Sequence, residues 1–316
     1  MIHQQDFLSY ITFIRIRVKF EATEPILLPQ YKGSAFRGCL GEALRKQVCT
    51  HLGLNCEKCN ERFICPFSLL FNSFVAPDHP HHRKYPKSPH PYIIDPLPDN
   101  KTDFEPGDTF GFDLTLIGKA EKQLPLLLHV FQRMGETGIG KGRGHFKPVS
   151  YQYLDYDLKY KPLPYFGQPE SISLDKIPVP SVEKQITINL ENPLRLKENG
   201  KILESAPTFG FLMNRLALRI GLLAHFHCGA PWSEQETASL PVPEVIQISG
   251  SKVQMTDWQR YSGTQDTTMH FDGLVGQITY QGEGLNDWMP LLLMGSFLHA
   301  GSTATFGLGK YSLQSS

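Results

Sequence analysis

The 316-residue chain carries 31 Lys and Arg against 31 Asp and Glu, so no overall field advertises a polyanionic partner and any nucleic-acid site has to be local. At 41% hydrophobic and 20% charged residues it reads as an ordinary globular protein, long enough for two domains of about 150 residues with a core each. The N-terminus reads as neither a signal peptide nor a membrane span and no apolar run reaches about 18 residues, so a cytoplasmic protein is expected.

The first domain is expected over residues 1–150. Its first strand is predicted over Tyr10 to Phe20, where Ile14, Ile16, Val18 and Phe20 alternate with Arg15, Arg17 and Lys19 at the period of a half-buried strand. A loop through Tyr31 leads to Ser34, a candidate N-cap, and to a helix predicted from Ala35 to about Cys49. Phe36, Leu40 and Leu44 make its apolar stripe, while Gly38 and Gly41 flatten another side. Arg37 and Arg45 lie within about 80° of each other on the wheel, either as a solvated face or as phosphate contacts. Four cysteines then fall in one short insertion, Cys49-x6-Cys56-x2-Cys59-x5-Cys65. Grouped thiolates suit tetrahedral Zn²⁺, and Cys56-x2-Cys59 has the spacing of a knuckle; buried free thiols, or redox or iron–sulfur chemistry, are the alternatives. Four thiolate ligands would close the site, making the metal structural rather than catalytic.

Residues 76–100, with His79, His81, His82 and His90 among prolines, are predicted as a long loop. A strand is expected over Phe110 to Ile117 and a helix over Leu124 to Met134. The helix feeds a Gly-rich loop carrying Arg133, Lys141, Arg143, His145 and Lys147 against the single acid Glu136, the best local basic patch. Residues 151–181 read as a linker or edge segment, and 182–316 as a second domain. There Ile186, Ile188 and Leu190 alternate, a buried helix is predicted over Phe209 to Phe226 with Arg215 and Arg219 on one side, and a strand over Leu274 to Tyr280. A helix over Trp288 to His299 runs into a second Gly-rich loop with Gly295, Gly301, Gly307 and Gly309. Such backbone is able to approach a ligand and offer N–H groups to phosphate, or simply to turn. Gly142-Arg-Gly144-His-Phe lies over Gly307-Leu-Gly309-Lys-Tyr, which indicates two copies of one domain. Each copy reads as strand, helix, strands, helix, short strand: an α+β chain of two tandem ferredoxin-like (RRM-like, βαββαβ) domains with a Cys-rich insertion in the first.

Gly301-x5-Gly307-x-Gly309, Trp258-Gln-Arg-Tyr-Ser262, and Phe36-Arg-Gly38 leading into the cysteines and Cys65-Pro-Phe67 together resemble the CRISPR repeat-processing endoribonucleases of the RAMP superfamily. The resemblance spans nearly the whole chain. It implies tandem ferredoxin-like domains, metal-independent cutting of precursor CRISPR RNA by 2′-OH attack to leave a 2′,3′-cyclic phosphate, and a C-terminal Gly loop against the RNA backbone. It further implies a catalytic histidine on or after the first helix with a nearby tyrosine and lysine, places filled here by His51, Tyr31 and Lys46. His299, just before the last Gly loop, is the rival, and core packing is the alternative for both histidines. Ser302 stands where many relatives have a basic residue, so the loop itself supplies less charge. Arg37, Arg45, Lys141, Arg143 and Lys310 are the expected backbone contacts. Trp258, Arg260, Tyr261 and Gln265 offer stacking faces and base-edge donors, unless Trp258 belongs to a core. The expected partners are CRISPR repeat RNA and a CRISPR effector complex, with no membrane and no DNA required. The rival function is a non-catalytic RAMP subunit that only holds guide RNA.

Overall fold

The computed structural model describes residues 2–164, 168–232, 242–256, 259–262 and 267–315. The chain divides into two compact units, one of residues 12–172 with 226–228, the other of 1–11, 173–225 and 229–316.

In the first unit the elements in chain order are β1 (Thr12–Ala22), β2 (Ile26–Leu27), α1 (Gly33–Val48), α2 (Pro66–Phe71), β3 (Tyr92–Pro96), β4 (Asp103–Phe104), β5 (Thr109–Ile117), α3 (Leu124–Thr137), β6 (Phe146–Leu154) and β7 (Tyr160–Pro162). Strands β3-β5-β1-β6-β7 form one antiparallel sheet. The period-two pattern of β1 puts Ile14, Ile16, Val18 and Phe20 in the core, within 2% of full burial. Opposite them α1 lays down Phe36, Leu40 and Leu44, the stripe its four-residue spacing predicts, and α3 adds Leu127, Val130, Phe131 and Met134. Rings fill the centre: Phe20 meets Phe146 edge-on at 5.1 Å, and Phe36 stacks on Phe110 at 6.0 Å.

A short strand, β8 (Ile172–Ser173), marks the boundary. The second unit runs through β9 (Gln185–Leu194), β10 (Lys197–Glu198), β11 (Lys201–Ile202), α4 (Phe209–Cys228, its last turn counted with the first unit), β12 (Gln247–Thr256), β13 (Gln259–Ser262), β14 (Thr267–His270), β15 (Gly273–Gln281), α5 (Met289–Leu298) and β16 (Tyr311–Ser315). Its sheet is β12-β15-β9-β16, also antiparallel. Taking the four principal strands of each unit, both sheets have the order second, third, first, fourth. That order, with a helix after the first strand and another after the third, is the ferredoxin-like fold, twice.

The repeat extends to single hydrogen bonds. Ile139 N–H donates to Gly144 O at 3.1 Å, and Ala300 N–H donates to Gly309 O at 2.9 Å. Next in the chain, His145 O accepts from Thr23 N–H at 2.9 Å as Lys310 O accepts from Glu191 N–H at 3.0 Å. Both glycines must lack Cβ: one added at Gly144 would stand 2.3 Å from Pro25 O, and one at Gly309 would stand 1.8 Å from Ala300 O.

Several local expectations are corrected. Ser34 does not cap α1, because the helix starts two residues earlier than expected, at Gly33, and Lys32 occupies the N-cap without a side-chain capping bond. The stretch 76–100 is not all loop: Tyr92–Pro96 is a buried strand paired with β5. The stretch 151–181 opens as sheet, since β6 runs on to Leu154 and β7 pairs with it. Strand β12 escaped prediction because it has no buried residue, so no alternation marks it.

Candidate nucleic-acid interface

The last Gly-rich loop is built on α5, which is buried nearly all round. At its end the chain turns through left-handed or otherwise positive φ at His299 (+59°), Gly301 (+78°), Thr303 (+67°), Gly307 (+84°) and Gly309 (+73°). Five of its amides, those of Ala300, Ser302, Phe306, Gly307 and Gly309, donate inside the chain. Ser302 N–H donates to Arg195 O at 3.0 Å, Phe306 N–H to Thr303 O at 2.9 Å, Gly307 N–H to Ala304 O at 2.8 Å and Gly309 N–H to Pro193 O at 3.0 Å. Gly307 and Gly309 thus serve close packing against the end of β9, while Ser302 at the tip is exposed. The amides of Gly307 and Gly309, two of the positions expected to meet phosphate, are therefore engaged within the chain.

Two arginines outside the loop hold it. Arg219, on α4, donates from Nη2 to Leu298 O at 3.1 Å and from Nε to His299 O at 3.1 Å, a cation at the C-terminal end of α5 where carbonyls lack helical partners. Burial alone pulls its pKa down to about 10, which leaves it charged at neutral pH. Arg195 pairs with Asp272 at 2.8 Å while its carbonyl receives Ser302. Asn192 Nδ2 donates to Gly307 O at 2.8 Å. None of Asn192, Arg195 or Asp272 was predicted as part of the loop; for Asn192 the signal was the repeat, since Thr23 and Glu24 N–H donate to His145 O as Glu191 and Asn192 N–H donate to Lys310 O.

His299 has no exposed surface, and its Nδ1 lies 3.2 Å from Leu308 O. An enclosed ring packed under the loop fits the core alternative and offers no path for proton transfer to RNA in this conformation. Lys310 is paired with Glu191 at 3.3 Å.

Tyr31, Arg37, Arg45, Lys46, His51, Lys141, Arg143 and the four clustered cysteines belong to the first unit. The side of α1 flattened by Gly41 receives Phe71 of α2, the ring standing 2.8 Å from where a Cβ would be. Phe71 stacks on Phe67 at 5.1 Å. Over these two rings lie Arg37, 5.1 Å from Phe71, and Arg45, 5.7 Å from Phe67. Arg45 also donates to Leu54 O at 3.2 Å. Both arginines are half-buried cation–π partners as much as candidate phosphate contacts. Lys46 is held by Glu42 at 2.8 Å, and the same carboxylate takes both Nη atoms of Arg143 at 3.1 Å. These two cations depress the Glu42 pKa, Arg143 contributing most. Lys141 lies at the loop surface, its N–H bonded to Leu27 O at 3.0 Å.

Tyr31 precedes α1. Burial, with Asp95 nearby, raises its pKa well above the ordinary value, so it is a proton donor rather than a base. Beside it sits a group that sequence reasoning missed, Lys32: 3% exposed, Nζ donating to Asp99 O at 2.8 Å, with desolvation lowering its pKa. A lysine next to the candidate tyrosine was visible in the chain, but its burial was not. His51 follows α1 in an exposed turn, Nε2 4.0 Å from Glu61 Oε1. Cys49, Cys56, Cys59 and Cys65 line the same cavity as His51. Arg260 and Tyr261 lie on β13, while Trp258 and Gln265 are outside the described residues.

Each ferredoxin-like unit is closed by its own Gly-rich loop. Residues 188–311 match the family model of the CRISPR-associated endoribonuclease Cas6. Residues 11–161 match a second model, described as an N-terminal domain. The chain is 22% identical over 295 residues to an uncharacterized protein of Archaeoglobus fulgidus, covering 91% of this chain and 93% of that one. Among solved structures it is similar to Thermus thermophilus Cas6, at 12% identity and TM-score 0.56, with 96% of this chain and 99% of that one covered. It is also similar to a chain of a partial Cas6-RT-Cas1–Cas2 complex, at 15% identity and TM-score 0.62, where 98% of this chain covers 47% of that one. The chain thus spans about half the length of that relative. Identities this low speak for the fold. No described helix is long and apolar enough to cross a membrane.

Proposed function

We propose that this protein cuts CRISPR repeat RNA within the precursor transcript, without a catalytic metal, by attack of the ribose 2′-OH on the adjacent phosphorus. The observation that carries the reading is the Cas6 endoribonuclease match of residues 188–311, on a chain whose two halves repeat one RNA-binding type of domain. In this reaction the 2′-oxygen forms a bond to phosphorus as its proton leaves to a base. The P–O5′ bond breaks, and the 5′-oxygen takes a proton from an acid, leaving a 2′,3′-cyclic phosphate and a 5′-OH. Of the two candidate histidines only His51 is exposed, so we assign it the proton-transfer role. Tyr31, protonated throughout the working range, suits hydrogen-bond donation to the phosphate oxygens, and Lys46 and Arg143 supply positive charge once RNA competes with Glu42 for them.

The test is incubation of the purified chain with labelled repeat RNA in EDTA, beside the same RNA carrying a 2′-deoxy at the cut. The expected result is a cyclic-phosphate product from the first and none from the second. Cleavage that needs added Mg²⁺, or that persists on the deoxy substrate, would overturn the mechanism. Tight binding with no cut in either would make the chain a guide-holding subunit instead.

A further inference from the structure

The segment from Cys49 to Cys65 has an unusual interior. Its exposed side chains include Leu52, Leu54, Phe63 and Ile64, the last 82% exposed. The residues that are not exposed are the four cysteines and Arg62, and no others. A loop of this length that turns its apolar residues outward buries too little to offset the entropy of ordering it. What it turns inward is thiol.

The backbone sets those thiols at three anchored points. Cys49 is the C-cap of α1, its N–H bonded to Arg45 O. Cys65 is the N-cap of α2, followed by Pro66 at the first helical position. Between them Asn55 caps a 3-10 turn over Cys56–Lys58, accepting from Glu57 N–H, and the turn closes with Cys59 N–H to Cys56 O at 3.2 Å. In 3-10 geometry residues i and i+3 eclipse, which sends Cys56 and Cys59 to one side. All four cysteines are free and line one cavity. Among the described residues no three His, Cys, Asp or Glu side chains are grouped so as to hold a metal ion as they stand. Closure on a metal requires the four thiols, which line one cavity, to draw together.

We infer that Cys49, Cys56, Cys59 and Cys65 form a structural Zn²⁺ site that cross-links the end of α1, the knuckle and the start of α2. Thiolate-only donors in a tetrahedral set favour zinc over oxygen-seeking cations, with Zn–S bonds of about 2.3 Å. Binding releases four thiol protons to solvent and leaves a site of net charge −2. Cations stand at hand for it: Arg62 donates to Cys59 O at 3.0 Å, and Arg45 is tied to the loop through Leu54 O. His51 lines the cavity but is exposed, and is left outside the ligand set. This inference does not depend on the RNA-cutting activity.

The experiment is metal analysis of the full chain purified under reducing conditions, with Co²⁺ titration of the metal-stripped protein. About one zinc per chain is expected, together with cobalt spectra of a tetrahedral thiolate site. His51→Ala should retain the metal. Cys56→Ser with Cys59→Ser should lose it; because that variant is open to misfolding, the Co²⁺ spectrum of the unaltered chain stands as the independent readout. The inference is overturned by a folded, reduced chain with no zinc whose four thiols all react freely, by an iron–sulfur chromophore, or by loss of metal in His51→Ala.

Discussion

At the scale of single residues, the two histidines expected to compete for one role occupy opposite environments. His299 is enclosed beneath its loop, and His51 is open to solvent. His51→Ala is therefore expected to slow single-turnover cleavage by about 10²–10⁴-fold, the usual worth of a positioned acid or base. His299→Ala should leave the cleavage rate of the folded protein near that of the unaltered chain and instead lower the denaturant midpoint. Arg219 is the residue on which the last loop hangs. Arg219→Met keeps much of the volume but strips the charged donors from Leu298 O and His299 O, and should cost about 1.5–3 kcal/mol in equilibrium unfolding. Glu42 gives a pH test. Its folded pKa lies below the ordinary 4.5, so the unfolded state binds more protons near that pH and stability rises with pH there. The contribution is present above about 4.5 and is lost as pH falls through the lower folded value. The melting temperature of Glu42→Gln should thus trail the unaltered chain at neutral pH and converge with it in acid.

At the scale of elements, each Gly-rich loop closes its domain through backbone hydrogen bonds. Gly309 combines φ +73° with backbone 1.8 Å from a would-be Cβ, whereas Gly142 has φ +91° and nothing within 4 Å. Gly142→Ala should cost only the left-handed penalty, about 1–2 kcal/mol, and Gly309→Ala distinctly more, because Ala300 and the strand behind it must move. Thermal unfolding of the two variants side by side checks the ranking. Helix α1 illustrates how one element serves two ends: Phe36, Leu40 and Leu44 bury into the core, while its other side carries Arg37 and Arg45 onto the rings of α2. Placing α2 there required the fold, since Pro66–Phe71 is too short for its periodicity to announce a helix.

At the scale of the whole molecule, each unit has its own sheet and its own apolar core. Gly309→Ala should accordingly raise amide exchange in 173–225 and 229–316 while sparing protection in 12–172. The doubling, the ferredoxin-like order and the buried faces of β1, α1 and α3 were legible in the chain, because periodicity and the Gly-x-Gly repeats are local signals that packing then obeyed. So was the grouping of four cysteines. Tertiary structure alone decided what those signals meant. The amide of Gly309 is spent on β9 and Arg219 on the end of α5, His299 is sealed while His51 is not, and Lys46 and Arg143 share one carboxylate. Each of these depends on a partner distant in sequence, and neither burial nor the pairing of a charge is a property that a residue carries in its name.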